Sequence, residues 1–413
     1  MIRSMSSALS GLRNHQTMLD VVATDISNVS TVGFKGSTAV FSDVLTQQLS
    51  AGTLPGAGIG GTNPVQIGLG SRLVGTVQSF VQGALQRTGR ATDLAIQGDG
   101  FFIVDNGAER LYTRAGAFTL DQAGNLTTPE GMLVQGWQAD VNGVINSNAT
   151  VGPLQIRVGD QVSPVQTTSA QLGGNLPAAA AVGTAVDMTV TAYDTQGTAV
   201  PINLTMTKTA ANQWTATGSY GNPATAFAMT DNVLTFNASG ELTAPADRGI
   251  DIAGGVIPGM VGAVVLDLGA AGQSGRVTQY AGGTTLTVMD QNGAPAGSLQ
   301  SFNVGQDGVV IGSYSNGKTK AIAQVALAVF ANAEGLQRIG GAWRASANSG
   351  VANIGTAGVG GKGLLSAGTV EMSNVDLAEE FTRLIVAQRG FQGNARVITT
   401  ADEVLQEVVN LRR

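Results

Sequence analysis

The sequence predicts a mixed α and β protein that is mainly β, with two discontinuous antiparallel β domains flanked by amino- and carboxyl-terminal helices that pair in a coiled-coil-like domain. Two observations predict this class. Apolar residues recur at heptad spacing near both ends of the chain, and the middle is rich in threonine, valine, glycine and short turn sequences. Because the order helix, linker, β, linker, helix is nearly a palindrome, we expect the chain to run outward and return.

Composition argues against several classes of protein. The chain has 413 residues, a formal net charge of -6 and no cysteine. A nucleic-acid interface needs clustered lysine and arginine, which this sequence lacks, so we expect no nucleic-acid partner. Without cysteine there is no disulfide framework, thiolate metal site or cysteine nucleophile. The longest apolar runs fall short of the ~20 residues that a membrane helix needs, so we expect no membrane insertion.

Residues 1–30 predict an amphipathic helix whose apolar side chains alternate by four and three positions. This first stripe includes Met5, Leu12, Leu19, Val22 and Ile26. Polar residues interrupt every apolar run here, so we expect no cleaved signal peptide. Residues 31–90 with 345–369 are predicted to form a linker or arm, because glycine is frequent there and prolines follow at 55 and 64.

Strand-like alternation and turn sequences define two β domains in the middle of the chain. Residues 91–150 with 286–344 are predicted to form the first, and residues 151–285 the second, outer domain. The strongest turn signals are Gly98-Asp99-Gly100 and Asn316-Gly317, each between strand-like runs. Tight turns of this kind favour antiparallel pairing.

Residues 370–413 are predicted to form a long helix that completes the terminal helical domain with residues 1–30. Its heptad stripe includes Leu377, Phe381, Leu384, Phe391, Ile398, Leu405 and Val409. Because glycine-rich arms separate both stripes from the β body, we predict that they pack on neighbouring copies and become ordered on assembly. Gly390 and Gly393 interrupt this helix, and the sequence leaves open whether they allow close packing or are simply tolerated.

Candidate catalytic groups are few. His15, the only histidine, falls on the first stripe and is interpreted as a stripe residue rather than a base or ligand. Asp376, Glu379 and Glu380 could form paired carboxylates, but acids at a helix start are typical of capping and of a favourable interaction with the helix dipole. We therefore predict no enzyme activity, no cofactor and no metal site.

Two motifs carry a family resemblance. The first follows the initial helix and contains Asn28, Thr31, Gly33, Phe34 and Lys35. The second surrounds the start of the last helix and contains Ser373, Asn374, Asp376, Gln388 and Arg389. Both resemble the flagellar rod, hook and hook-associated axial proteins, and residues 193–197, Trp214 and 314–317 are similar to the hook branch of that family.

The resemblance implies a subunit that assembles with copies of itself into a bendable tube between motor and filament, with the helical ends lining the export channel. Expected partners are the distal rod protein, the hook cap protein, the hook-filament junction protein and the flagellar export apparatus. The expected location is extracellular, in the flagellar hook, after export without a cleaved signal peptide.

Two alternatives remain at this point. A distal rod protein with an inserted domain would form straight, rigid polymers instead of curved ones. A surface-anchored glycan-binding or carbohydrate-active β protein would bind or cleave a glycan as a monomer and would tolerate loss of both termini.

Overall fold

The structure is a computed structural model that describes residues 2–52, 54, 60–221, 223–269 and 275–410. The chain divides into two compact units. Unit 1 comprises Met1–Ile156, Phe302–Ile311 and Ala321–Arg413, and unit 2 comprises Arg157–Ser301 and Gly312–Lys320. The predicted fold class is confirmed, because the chain is mainly β with a helix at each end.

The two helices, α1 (Ile2–Ser27) and α2 (Leu377–Asn410), pack against each other in unit 1. They run antiparallel, since Gly11 lies against Asn394 and Gly390 lies against His15. Neither helix contains proline, which would break the backbone hydrogen-bond series. Among the described residues, no helix is both long and apolar enough to cross a membrane.

The strands fall into three groups along the chain. The first group is β1 (Ser37–Asp43), β2 (Thr46–Ser50), β3 (Val65–Gly68), β4 (Ser71–Gln78), β5 (Leu85–Arg87), β6 (Leu94–Gln97), β7 (Phe101–Asp105), β8 (Arg110–Thr113), β9 (Thr119–Leu120), β10 (Leu126–Thr127), β11 (Leu133–Gln138) and β12 (Gly152–Pro153). The second group is β13 (Gln161–Val162), β14 (Ser169–Asn175), β15 (Ala185–Tyr193), β16 (Ala199–Ala210), β17 (Gln213–Tyr220), β18 (Thr225–Phe227), β19 (Val233–Phe236), β20 (Leu242–Ala244), β21 (Gly249–Ile252), β22 (Val264–Asp267), β23 (Val277–Thr278) and β24 (Thr287–Gln291). The third group is β25 (Gly297–Val304), β26 (Val309–Tyr314), β27 (Thr319–Val325), β28 (Leu327–Val329), β29 (Gln337–Ile339), β30 (Ala342–Arg344), β31 (Asn353–Gly355), β32 (Leu364–Ala367) and β33 (Thr369–Glu371).

The β body of unit 1 is an antiparallel sheet in which β11, β7, β8, β30 and β29 are neighbours in that order. Strand β28 pairs with β7 and β31, so residues from both halves of the chain share one sheet. Its core is aromatic. The ring of Phe101 makes edge-on contacts with the rings of Trp343 and Phe330, at centroid distances of 5.6 and 6.0 Å. Such pairs stabilise a core beyond the area that they bury.

An arm of paired strands connects α1 to this sheet. Strands β1 and β4 pair antiparallel, and β2 and β3 continue the ribbon as a hairpin whose side chains are all exposed. Strands β5 and β6 then pair with β33 and β32, the strands that precede α2. The region predicted as a linker (31–90 with 345–369) therefore contains regular strands where the outgoing and returning chains meet.

Unit 2 contains two sheets around one apolar core. One sheet has the antiparallel order β15, β16, β17, β19 and β20, and β16 buries alternate side chains as a half-buried strand should. The other has the order β21, β22, β14 and β23, in which β14 runs parallel to β22 and β23. Trp214 and Leu204 are fully buried in the core. The parallel pairs depart from the purely antiparallel expectation, because turn sequences report only neighbouring strands.

The observed units differ from the predicted domain edges on both sides. Residues 286–301 belong to unit 2 because β24 pairs with β14, whereas the sequence assigned them to the first β domain. Residues 151–156 belong to unit 1 because β12 pairs with β11 and Leu154 donates its backbone N–H to the carbonyl of Val134. Both contacts join residues that are distant in sequence, so local patterns do not reveal them.

Candidate self-assembly site

One face of α2 is covered by α1. Leu384, Phe391, Ile398 and Leu405 of the predicted stripe are half-buried on this face. A second set at seven-residue spacing completes the covered face, and it consists of Glu380, Ala387, Asn394 and Ala401. Periodicity of apolar residues does not identify this set, because alanine, asparagine and glutamate carry little or no apolar signal.

The side chains of the predicted stripe of α1 also differ in burial. Val22 is buried, Leu12, Leu19 and Ile26 are half-buried, and Met5 is exposed. Ala8 is buried as well, although its small side chain gives only a weak apolar signal. On α2 the side chain of Val409 lies outside the described residues.

The two glycines of α2 have different surroundings. A Cβ atom at Gly390 would lie 2.4 Å from the imidazole of His15, a separation that real Cβ atoms do not adopt. A Cβ atom at Gly393 would meet nothing within 4 Å among the residues that the structure describes. Gly390 therefore allows a close helix crossing, whereas packing within this chain places no such demand on Gly393.

Two further apolar strips of α2 remain exposed after α1 has packed. The first is Leu377, Phe381 and Ile385, whose exposed fractions are 40, 52 and 50%. The second is Val386, Val397 and Val404, exposed by 56, 42 and 48%. Helical periodicity puts the strips on opposite sides of the face that α1 covers. We call them the outer strips.

A buried ionic cluster lies where the arm meets the chain entering α2. The carboxylate of Glu371 accepts hydrogen bonds from Lys35 Nζ at 2.6 Å, from the backbone N–H of Gly83 at 2.9 Å and from Arg114 Nη1 at 3.3 Å. The Lys35 and Glu371 side chains are fully buried and that of Arg114 is nearly so. We call these three side chains the Glu371 clasp.

The clasp joins five segments of the chain. Lys35 Nζ also donates to the carbonyl of Val81 at 2.7 Å, and Arg114 Nη2 donates to the carbonyl of Gly98 at 2.8 Å. Burial lowers the pKa of both Lys35 and Arg114, while the charge of Glu371 opposes that change. Removing one partner of such a buried ion pair is costly, because the remaining charge stays buried without its counter-ion.

The first family motif supports the junction between α1 and the clasp. Thr31 Oγ1 donates to Asn28 Oδ1 at 3.1 Å in the turn that ends α1. Gly33 adopts a φ of 70°, and a Cβ atom there would lie 2.4 Å from the backbone of Ala115, so both its conformation and its space require glycine. Phe34 is buried, with the guanidinium of Arg338 over its ring.

The second family motif shapes the start of α2. Asn374 Nδ2 donates to the carbonyl of Ser79 at 2.8 Å, and its Oδ1 accepts the backbone N–H of Gly36 at 2.9 Å. Asp376 Oδ1 accepts the backbone N–H of Ala378 at 2.8 Å, which is an N-cap hydrogen bond. Ser373 Oγ accepts the N–H of Val375 in the same turn. Gln388 and Arg389 are exposed further along α2.

The side chains that could be considered as catalytic or metal-binding groups make other contacts in the structure. His15 Nδ1 is buried and has no hydrogen-bond partner in the described part of the chain, and its ring faces Gly390. Glu379 and Glu380 both accept hydrogen bonds from Arg383. In unit 2, Asp231, Asp247 and Asp251 bring carboxylate oxygens within 4.8 Å of one another near the surface, as exposed acids commonly do without a ligand.

Comparisons with known proteins cover nearly the whole chain. Family models described as flagellar hook protein FlgE/F/G D1 domain, flagellar basal body protein FlaE D2 domain and flagellar basal body rod FlgEFG protein C-terminal match residues 95–171, 166–294 and 366–411. The chain is 38% identical to the flagellar hook protein FlgE of Treponema pallidum, with all of both chains covered. The fold, the terminal helices and these matches define an axial protein of the bacterial flagellum.

Further relatives show to which branch of the flagellar axial proteins the chain belongs. The chain is 36% identical to the flagellar hook protein FlgE of Salmonella typhimurium, over 99% of this chain and 100% of that protein. It is 32% identical to the flagellar basal-body rod protein FlgG of Bacillus subtilis, over 100% of both. The chain belongs to the flagellar hook protein family. The crystal structure of Helicobacter pylori flagellar hook protein FlgE2 shares its fold, with a TM-score of 0.52 and 13% identity over 68% of this chain and 98% of that one.

Proposed function

We propose that this chain is a structural subunit that polymerises with copies of itself into the flagellar hook, a curved, flexible tube that connects the rod to the filament and transmits torque. The observation that carries the proposal is the pair of outer strips on α2. Fully burying a side chain of this size stabilises a protein by about 1.5 to 3 kcal/mol, so a side chain that is about half exposed forfeits part of that amount. Neighbouring copies that cover both strips would supply this burial.

The arm offers a second assembly surface. Residues 44–71 contain no charged side chain, and Leu49 and Ile67 of the β2–β3 hairpin are exposed. A two-stranded hairpin with two exposed faces is only marginally stable in water. Contact with another copy would stabilise the hairpin and remove its apolar side chains from solvent.

The proposed function also implies where the subunit works and which proteins it binds. We expect the subunit to work outside the cell in the hook, after passage through the flagellar export apparatus without a cleaved signal peptide. The distal rod protein, hook cap protein and hook-filament junction protein are its expected partners at the ends of the polymer. No catalytic step is needed, because binding energy between identical subunits drives assembly.

Removal of residues 384–413 tests this function. The truncated chain should keep both β units folded, as reported by the fluorescence of Trp137 in unit 1 and Trp214 in unit 2, and should form no polymer in electron micrographs. Normal tubes from the truncated chain would refute the proposal. Straight, rigid polymers from the full chain would instead favour a rod protein.

A further inference from the structure

Two buried carboxyl groups lie where α1 ends and α2 begins. Asp25 is 1% exposed and Glu380 is 5% exposed. The register of the helix pair, in which Gly11 lies against Asn394 and His15 against Gly390, puts position 25 opposite position 380. Two acidic side chains from different helices therefore share one buried site.

Each carboxyl group has one oxygen with a partner and one without. Asp25 Oδ2 accepts the backbone N–H of Ser37 at 2.9 Å, and Glu380 Oε1 accepts Arg383 Nη1 at 2.9 Å. Asp25 Oδ1 and Glu380 Oε2 are buried without a hydrogen-bond donor among the described residues. A buried carboxylate oxygen without a donor is costly, and two neighbouring carboxylates resist simultaneous ionisation.

The surrounding charges only partly compensate. Arg383 of α2 faces the pair, but it is shared with Glu379 and also donates to Thr38 Oγ1. Arg338 of β29 acts on Asp25 from a distance, with its guanidinium over the ring of Phe34. Burial raises the pKa of Asp25 and of Glu380 despite these arginines, and the charges of Asp25 and Glu379 raise the pKa of Glu380 further.

We propose that one of the two carboxyl groups, Asp25 or Glu380, keeps a proton in the folded chain at pH values where both are ionised in the unfolded chain, and that loss of this proton weakens the junction between α1 and α2. Protonation removes one of two like charges from the buried site, where Asp25 Oδ1 and Glu380 Oε2 have no donor among the described residues. The junction lies beside the arm and the start of the outer strips, so the protonation state would affect the base of the helix pair that the proposed assembly uses.

The direction of the pH effect follows from linkage. A carboxyl group whose pKa is higher in the folded than in the unfolded chain stabilises the fold below the unfolded value, which is about 4. This stabilisation is lost as the pH rises through the folded value. Each unit of pKa increase changes the unfolding equilibrium constant about tenfold.

The experiment follows the full-length chain between about pH 4 and about pH 8, the range that spans ordinary and raised carboxyl pKa values. Unfolding is measured for the wild type, Asp25→Asn, Glu380→Gln and the control Asp20→Asn, which changes an exposed acid on α1. Infrared difference spectra record the band of a protonated carboxyl group at about pH 5 to 6, just above the ordinary range of carboxyl pKa values. Asparagine or glutamine at the site removes one of the two carboxylate charges and does not titrate.

We expect the wild type and Asp20→Asn to show the protonated band and to lose stability as the pH rises. Asp25→Asn and Glu380→Gln should lack the band, show a flatter pH profile and be more stable than the wild type at the highest pH. A band that persists in both site variants would overturn the proposal. If either variant fails to fold, absence of the band from the wild type would overturn it as well.

Discussion

The imidazole of His15 lies against Gly390, so the only histidine of the chain occupies the space that a side chain at position 390 would need. This contact brings α1 and α2 together at the middle of their pair. It also gives Gly390 a packing role that Gly393, only three residues further along α2, does not have within the described chain.

We predict that Gly390→Ala and Gly393→Ala have opposite effects on the helix pair. Alanine favours an exposed helix position by about 1 kcal/mol over glycine, so Gly393→Ala should raise helix stability by about that amount. At position 390 the same gain is opposed by overpacking against His15, which costs about 1 to 3 kcal/mol. Far-UV circular dichroism during thermal unfolding of the full chain measures both effects.

The double variant His15→Ala with Gly390→Ala provides the control. Removing the imidazole should restore the stability that the new methyl group costs. Equal stabilisation by Gly390→Ala and Gly393→Ala would mean that the close crossing does not constrain position 390.

The sequence contains enough information to predict the fold class but not the register of the helix pair. Heptad spacing identified Leu384 and Phe391, which are half-buried beneath α1, together with Phe381, which is exposed. The covered face also uses Ala387, which is fully buried but too small to dominate a hydrophobic pattern. The periodicity of apolar residues identifies positions with large side chains, whereas close packing of two helices depends equally on small residues.

The clasp shows a second limit of sequence patterns. Lys35 lies in a motif that the resemblance identified, but its partner Glu371 is 336 residues away along the chain. A single acidic residue in a short strand has no local signature. Only the return of β33 alongside β5 brings it to the two cations.

We predict that Glu371→Gln destabilises unit 1 strongly. The substitution keeps the side chain's shape but leaves Lys35 and Arg114 buried without their counter-ion, a loss of about 3 to 5 kcal/mol. Denaturant unfolding in a Trp214→Phe background, where the remaining tryptophans belong to unit 1, measures this loss.

Glu379→Gln is the matched control, because Glu379 forms an exposed ion pair with Arg383 on α2. Exposed pairs of this kind contribute about 0 to 1 kcal/mol. Similar unfolding midpoints for the two variants would show that the clasp does not stabilise unit 1.

We predict that charged residues on the arm prevent assembly without unfolding the chain. Leu49→Glu and Ile67→Glu place acids on strands that are already exposed, so thermal unfolding of the monomer should be unchanged. If another copy covers these half-exposed side chains, each substitution loses part of the about 1.5 to 3 kcal/mol that full burial provides, and every loss of about 1.4 kcal/mol raises the critical concentration for polymerisation tenfold. Sedimentation of polymers across a concentration series measures it.

Val141→Glu is the control for the arm variants, because Val141 is exposed in a loop of unit 1. It introduces the same charge away from the proposed assembly surfaces. A critical concentration that changes equally in all three variants would attribute the effect to net charge rather than to the arm.

Two phenylalanines of α2 separate packing within the chain from packing between copies. Phe381 belongs to an outer strip, whereas Phe391 is half-buried on the face that α1 covers. We predict that Phe381→Ala leaves the thermal unfolding of the monomer unchanged and raises the critical concentration for polymerisation. Phe391→Ala should lower the stability of the helix pair, by somewhat less than the loss of about 3 to 5 kcal/mol that is typical of a fully buried phenylalanine, and should weaken assembly as a consequence.

Circular dichroism of the monomer and sedimentation of the polymer distinguish the two effects. The opposite result, a destabilised monomer for Phe381→Ala with normal polymerisation, would place the outer strip inside the folded chain and remove its role in assembly.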